Sequence, residues 1–124
     1  MKKYTCPCCG YKSFNESPGS YEICEICSWE DDISQLRFPN MQGGANKVSL
    51  IVAQKNFEKF GACEKRLIKN VRKPVKTDQR DSNWRRIDLS VDKIEEPSDC
   101  VDYGETYPED STRLYYWTIN FWRK

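Results

Sequence analysis

Four stretches of the chain carry a readable pattern of apolar and polar positions. In the first, Leu50, Ala53, Phe57 and Phe60 recur three and four residues apart, the spacing of one helix face. Ser49 is placed to cap the start of that helix, and Gly61 stands where a left-handed residue would close it. Next, Ala62 to Asn70 predicts a second short helix with Leu67 and Ile68 inward, and Pro74 forbids its continuation. In Trp84 to Val91, Ile87, Leu89 and Val91 alternate with polar residues, which predicts a half-buried strand. Finally, Arg113 to Trp122 is aromatic and β-branched (Leu114, Tyr115, Tyr116, Trp117, Ile119, Phe121, Trp122) and predicts a closing strand.

The remaining segments read from their breakers. Met1 to Gly10 predicts a short strand running into a tight turn, with Tyr11 to Phe14 as the return strand. Asn15 to Ser20 is a turn, Tyr21 to Ile23 another strand, and Cys24 to Cys27 a second tight turn. Glu30 to Gly44, with Pro39, Gly43 and Gly44, reads as an irregular connection, and Lys73 to Asn83 as a basic, polar linker. Glu95 to Asp110 is acidic and, with Pro97, Gly104 and Pro108, mostly loop.

Composition narrows the functional classes. Apolar residues make up 38% of the 124 residues and the mean hydropathy is −0.83, a thin core for this length that calls for an additional staple. No run approaches the ~18 apolar residues of a membrane helix, and Lys2 and Lys3 are followed by no apolar stretch, so a cytoplasmic location is expected. The chain contains no histidine, which removes Ser-His-Asp and Cys-His catalysis and histidine metal ligands. It does contain seven cysteines, an odd number that argues for a metal site with spare thiols over a disulfide framework.

Cys6-Pro7-Cys8-Cys9-Gly10 and Cys24-Glu25-Ile26-Cys27 hold two C-x-x-C pairs separated by 14 residues. A C-x-x-C turn lets both thiolates face one centre, and glycine after the second cysteine permits the positive φ that completes the knuckle. Two such turns supply the four ligands of a tetrahedral site, so Cys6, Cys9, Cys24 and Cys27 are expected to bind Zn2+, with iron in a rubredoxin-like site as the alternative. Lys2, Lys3 and Lys12 are near enough in sequence to offset the excess thiolate charge. Cys8 is expected to face outward as a tolerated small residue, a reactive or alternative ligand being the sharper reading. Cys63 is expected to pack in the core and Cys100 to lie in the acidic loop without bonding to it.

Together with Tyr11, Trp29-Glu30-Asp31-Asp32, Gly44-Ala45-Asn46, Ser49-Leu50, Asn56-Phe57 and Phe60-Gly61-Ala62-Cys63, these motifs resemble the bacterial cysteine-rich CPCC family over about residues 4–75. The resemblance implies a zinc-ribbon-like module. Some relatives occur beside secreted toxin genes, which implies an immunity protein whose partner is a cognate bacterial toxin.

Charge is segregated beneath a net of +1. Lys65 to Arg86 holds nine Lys/Arg against two acids (+7), and Asp88 to Asp110 nine acids against one lysine (−8). The basic stretch, with Trp84 beside it, has the makings of a nucleic-acid surface, or else of a solvated face paired with the acidic stretch. Glu95, Glu96, Asp99, Asp102, Glu105, Glu109 and Asp110 form the candidate partner surface, since a toxin that cuts nucleic acid presents a basic cleft. Glu30, Asp31 and Asp32 are expected to cap a turn or helix more than to perform acid–base work.

The expected architecture is α+β: a small zinc-ribbon-like (rubredoxin-like) β module over 1–40, a helical segment over 41–75 packing on it, and a basic linker, acidic loop and C-terminal aromatic strand over 76–124. These form one unit around Trp29, Phe57, Phe60, Trp84 and Trp117. The functional expectation is a non-enzymatic zinc-binding protein that neutralises a bacterial toxin, a nuclease for example, by occluding its active site; a nucleic-acid-binding zinc ribbon is the alternative.

Overall fold

The computed structural model describes residues 2–123, so Met1, where the first predicted strand begins, lies outside the described residues. Two helices stand out among the described residues, α1 (Ile33–Arg37) and α2 (Leu50–Phe60), followed along the chain by 3-10 turns at Lys65–Asn70, Gly104–Thr106 and Ser111–Leu114. Strand pairing among the described residues is confined to three isolated antiparallel bridges, Tyr4 with Phe14, Tyr11 with Arg80, and Ile23 with Glu30. The predicted amino-terminal hairpins therefore shrink to single bridges flanking each cysteine turn.

Helix α2 follows its local signals. The Ser49 side chain accepts from Val52 N–H, and Gly61 closes the helix at φ 78° with its N–H on the Phe57 carbonyl. Leu50, Ile51, Ala53 and Gln54 form its buried face. Full burial of a side chain such as Leu50 contributes roughly 1.5–3 kcal/mol. Helix α1 falls where an irregular connection is expected. Asp32 accepts from Ser34 and Gln35 N–H to cap it, and the fully buried Gln35 amide donates to the carbonyls of Met41, Asn46 and Val48, shaping the loop that follows.

Both predicted C-terminal strands are absent, for different reasons. Leu114, Tyr115, Tyr116 and Trp117 are all buried in succession, which the two-residue period of a strand cannot achieve on one face. Successive turns do it instead, with Tyr115 N–H on the Thr112 carbonyl, Thr118 on Tyr115 and Phe121 on Thr118. Over Trp84 to Val91, side chains compete with the backbone: Asp92 takes Arg85 and the Asp88 N–H, and Asp88 takes Ser90. The resulting loop leaves Leu89 and Val91 exposed.

One core cluster runs through all parts of the chain and includes Phe14, Trp29, Leu36, Leu50, Ala53 and Leu114 to Trp117 together with Cys6, Cys8, Cys9, Cys24, Cys27 and Cys63. Trp29 and Trp117 lie within it as expected, and Phe57 and Trp84 pack against its edge. Phe60 is only half-buried and carries the Lys59 and Lys65 ammonium groups over its ring. Residues 65–70 form a 3-10 turn in place of the second α-helix, with Leu67 against the core and Ile68 exposed.

Candidate metal centre

The two C-x-x-C segments fold into matching turns. Cys6 N–H donates to the Tyr11 carbonyl and Gly10 N–H to the Cys6 carbonyl; Cys24 N–H donates to Trp29 and Ser28 N–H to Cys24 in the same register. The residue after each second cysteine has positive φ, Gly10 at 82° and Ser28 at 70°. Side chains at both ends of each turn are thereby aimed at a common point. The four sulfurs lie within 4.8 Å of one another, with Cys6 to Cys27 at 3.5 Å and Cys9 to Cys24 at 3.8 Å. Four sulfurs at ~2.3 Å around a tetrahedral ion lie roughly 3.8 Å apart. The donor set therefore fits a soft metal ion bound by four thiolates.

The four thiols differ in their surroundings. Burial pushes the Cys6 and Cys27 thiols well up, while hydrogen bonds from Cys27, Cys6 and Cys9 pull Cys24 far down, with the Ser13 hydroxyl 3.0 Å from its sulfur. A dication held by the four sulfurs would favour their thiolate forms, so its binding would release protons.

Contacts from distant segments fix each knuckle. The Pro7 carbonyl accepts from the Gln54 amide (2.9 Å) and the Trp84 indole (3.0 Å), and Gln54 also donates to the Tyr116 hydroxyl (2.9 Å) and accepts from Ile87 N–H (3.0 Å). The Cys9 carbonyl takes Arg80, and the Gly10 carbonyl takes Asp81 N–H. Asp81 in turn accepts from Thr5 and from the Trp117 indole. On the second knuckle, Cys63 N–H donates to the Cys27 carbonyl and Arg72 N–H to that of Glu25. Gln54 escapes a reading based on apolar residues alone; its signal is a polar side chain placed four residues after Leu50 on the buried face.

Cys8 departs from expectation. It is fully buried in the core cluster with the other cysteines, and burial pushes its thiol up. Cys63 is buried as expected, with its thiol also pushed up, and Cys100 is exposed. Asp31 accepts from Gly19 N–H, Ser20 N–H and the Ser20 hydroxyl, which with the Asp32 cap gives this pair the turn-capping role expected of it. Lys3 donates to Asn15.

The acidic residues are scattered in their circumstances. Glu95 is not free: its carboxylate grips Arg37 through two 3.0 Å bonds and is largely shielded from solvent. Glu96 accepts from Asn40, Asp102 from Gly104 N–H, and Asp110 caps the turn at Ser111 through Thr112 N–H. Asp99, Glu105 and Glu109 form no ion pair among the described residues. Across the two charged stretches only Arg85 and Asp92 pair; Arg72 takes Glu25 and Asp78, and Arg86 takes Glu58.

Paired cysteine knuckles closing on one buried sulfur cluster define a small metal-site protein. The family model described as cysteine-rich CPCC matches residues 4–78, and the chain belongs to that family. Among curated proteins none matches it. No helix is long and apolar enough to cross a membrane among the described residues.

Proposed function

We propose that this chain is a non-enzymatic zinc protein of the cytoplasm that acts by binding another protein, most concretely as an immunity protein that occludes the active site of a cognate bacterial toxin. The observation that carries the reading is the complete burial of Cys6, Cys9 and Cys27 and the near-complete burial of Cys24. Four thiolates fill a tetrahedral ion's coordination and leave no position for a substrate, so the metal serves as a staple. The exposed acids Asp99, Asp102, Glu105 and Glu109 supply a negative surface suited to a basic cleft such as a nuclease's. Zinc is favoured over iron because a buried structural site needs no redox chemistry.

The test is co-purification of the chain with the product of the adjacent gene, followed by an assay of that product's activity. Stoichiometric binding with loss of activity is the expected result, and absence of binding overturns the toxin reading. Elemental analysis of a colourless sample decides the ion, with one zinc per chain expected and a coloured, iron-bearing sample counting against zinc.

A second reading, nucleic-acid binding, is favoured by Lys65, Lys69, Lys73 and Lys76, which form no ion pair among the described residues, and by the Lys59–Phe60–Lys65 cluster. It predicts affinity for single-stranded DNA or RNA that falls steeply with salt, and no binding at low salt dismisses it.

A further inference from the structure

Three aromatic rings are used twice. Phe38, Tyr103 and Tyr107 surround the Arg37 guanidinium, whose carbon lies 5.0, 4.9 and 4.6 Å from their centroids, with Trp122 at 4.8 Å and the Glu95 carboxylate completing the enclosure. The same three rings also line an open groove of about 430 Å3, with Met41 and Val101 beside them and Asp102 at its edge. Among the described residues, no lysine or arginine lines this groove. Asp99 and Glu105 flank it in sequence and have no cationic partner among the described residues. Aromatic faces beside a carboxylate are the chemistry that holds a planar guanidinium, and the protein already uses it on its own Arg37.

We propose that the groove binds an arginine side chain displayed beside an apolar residue on a partner protein. The arginine stacks on the half-buried Tyr103 and Tyr107 rings, with the buried Phe38 behind them, and meets Asp102, while its apolar neighbour covers Val101 and Met41. This rests on the reading of the chain as a protein-binding module and names the feature its partner must present.

The full-length, metal-loaded protein is titrated with a short capped peptide of alternating leucine and arginine while its amide resonances are followed. Saturable shifts are expected at Met41, Val101, Asp102 and Gly104, and none with the leucine–glutamate peptide. Asp102→Lys and Val101→Lys, both exposed positions outside the core, are each expected to weaken binding about tenfold with metal content and thermal unfolding unchanged. Shifts that map elsewhere, equal binding of the glutamate peptide, or wild-type affinity in Asp102→Lys overturn the site. A lysine peptide that binds as tightly as the arginine peptide overturns the arginine assignment. Should a toxin be neutralised while the peptide leaves the groove unshifted, the groove inference falls alone. Should the peptide dock while no toxin is bound, the toxin reading falls and the groove stands.

Discussion

The two cysteine knuckles share one backbone and differ in what surrounds them. In the first, the left-handed position is Gly10, and a Cβ there would lie 2.5 Å from the Trp84 ring. In the second, the same position is Ser28, a non-glycine residue held at φ 70°. Glycine at the first is thus demanded twice, by conformation and by the close approach of the indole, whereas the second tolerates a side chain at some conformational cost. The first knuckle is built into the packing of the C-terminal half, and the second is held mainly by backbone donors from Cys63 and Arg72.

The largest expected effect is on the shared centre. Cys24→Ser removes one ligand, and because metal binding is folding free energy here, the chain should lose its ion and its cooperative thermal transition. Elemental analysis and calorimetry check both; an unchanged variant would show that the four sulfurs hold no structural ion.

Gly10→Ala comes next. Strained φ and collision with Trp84 together should cost about 3 kcal/mol, a marked fall in Tm. Ser28→Gly should instead stabilise by about 0.5–1 kcal/mol, since it relieves the left-handed strain and the hydroxyl of the buried Ser28 makes no hydrogen bond among the described residues. Equal responses at the two positions would erase the distinction between the knuckles.

Gln54→Leu probes the first knuckle's supports. It leaves the Ile87 N–H and the Pro7 carbonyl with fewer partners, and a loss of about 2 kcal/mol in denaturant titration is expected. Removing the Arg72 side chain, paired at the surface with Asp78 and Glu25, should shift stability far less.

The smallest effect is the dependence on acid. Partial burial raises Asp81, but donations from Asn83 N–H, Thr5 and the Trp117 indole outweigh it and hold the carboxyl below the usual range. A depressed carboxyl adds stability above its unfolded value of about 3.9, and that stability is lost as pH falls through the lower folded value. Solvent screening keeps the contribution to about 1 kcal/mol or less. The wild type should therefore lose more stability than Asp81→Asn between pH 5 and about pH 3. Taking the difference between them isolates Asp81 from Asp31, whose burial pushes its carboxyl up and acts in the opposite sense.

What is legible in the sequence is what local chemistry decides. Ser49 and Gly61 bound α2 by their own end positions, and the two C-x-x-C turns carry their backbone geometry locally, although distant segments then hold them in place. The centre's four ligands are accordingly readable before any fold is known. The C-terminal half is not, because its conformation answers to distant partners. Tyr115 takes up its place through the Thr5 carbonyl, Trp117 through Asp81, and Tyr116 through Gln54 and the Arg85 carbonyl. A run of aromatic residues looks like a strand, yet burial of Leu114 and the three aromatic residues after it in succession requires turns. Burial of Cys8 is hidden for the same reason, since nothing near it in sequence announces the distant residues that share its core.

The match to the family ends at residue 78, yet Trp84 lies against Gly10 and Leu114 to Trp117 share a core with the sulfurs. The tail thus shares the core that buries the sulfurs. For an ion held there, loss to an external chelator would be timed by undocking of that tail, so its rate would saturate as chelator is added.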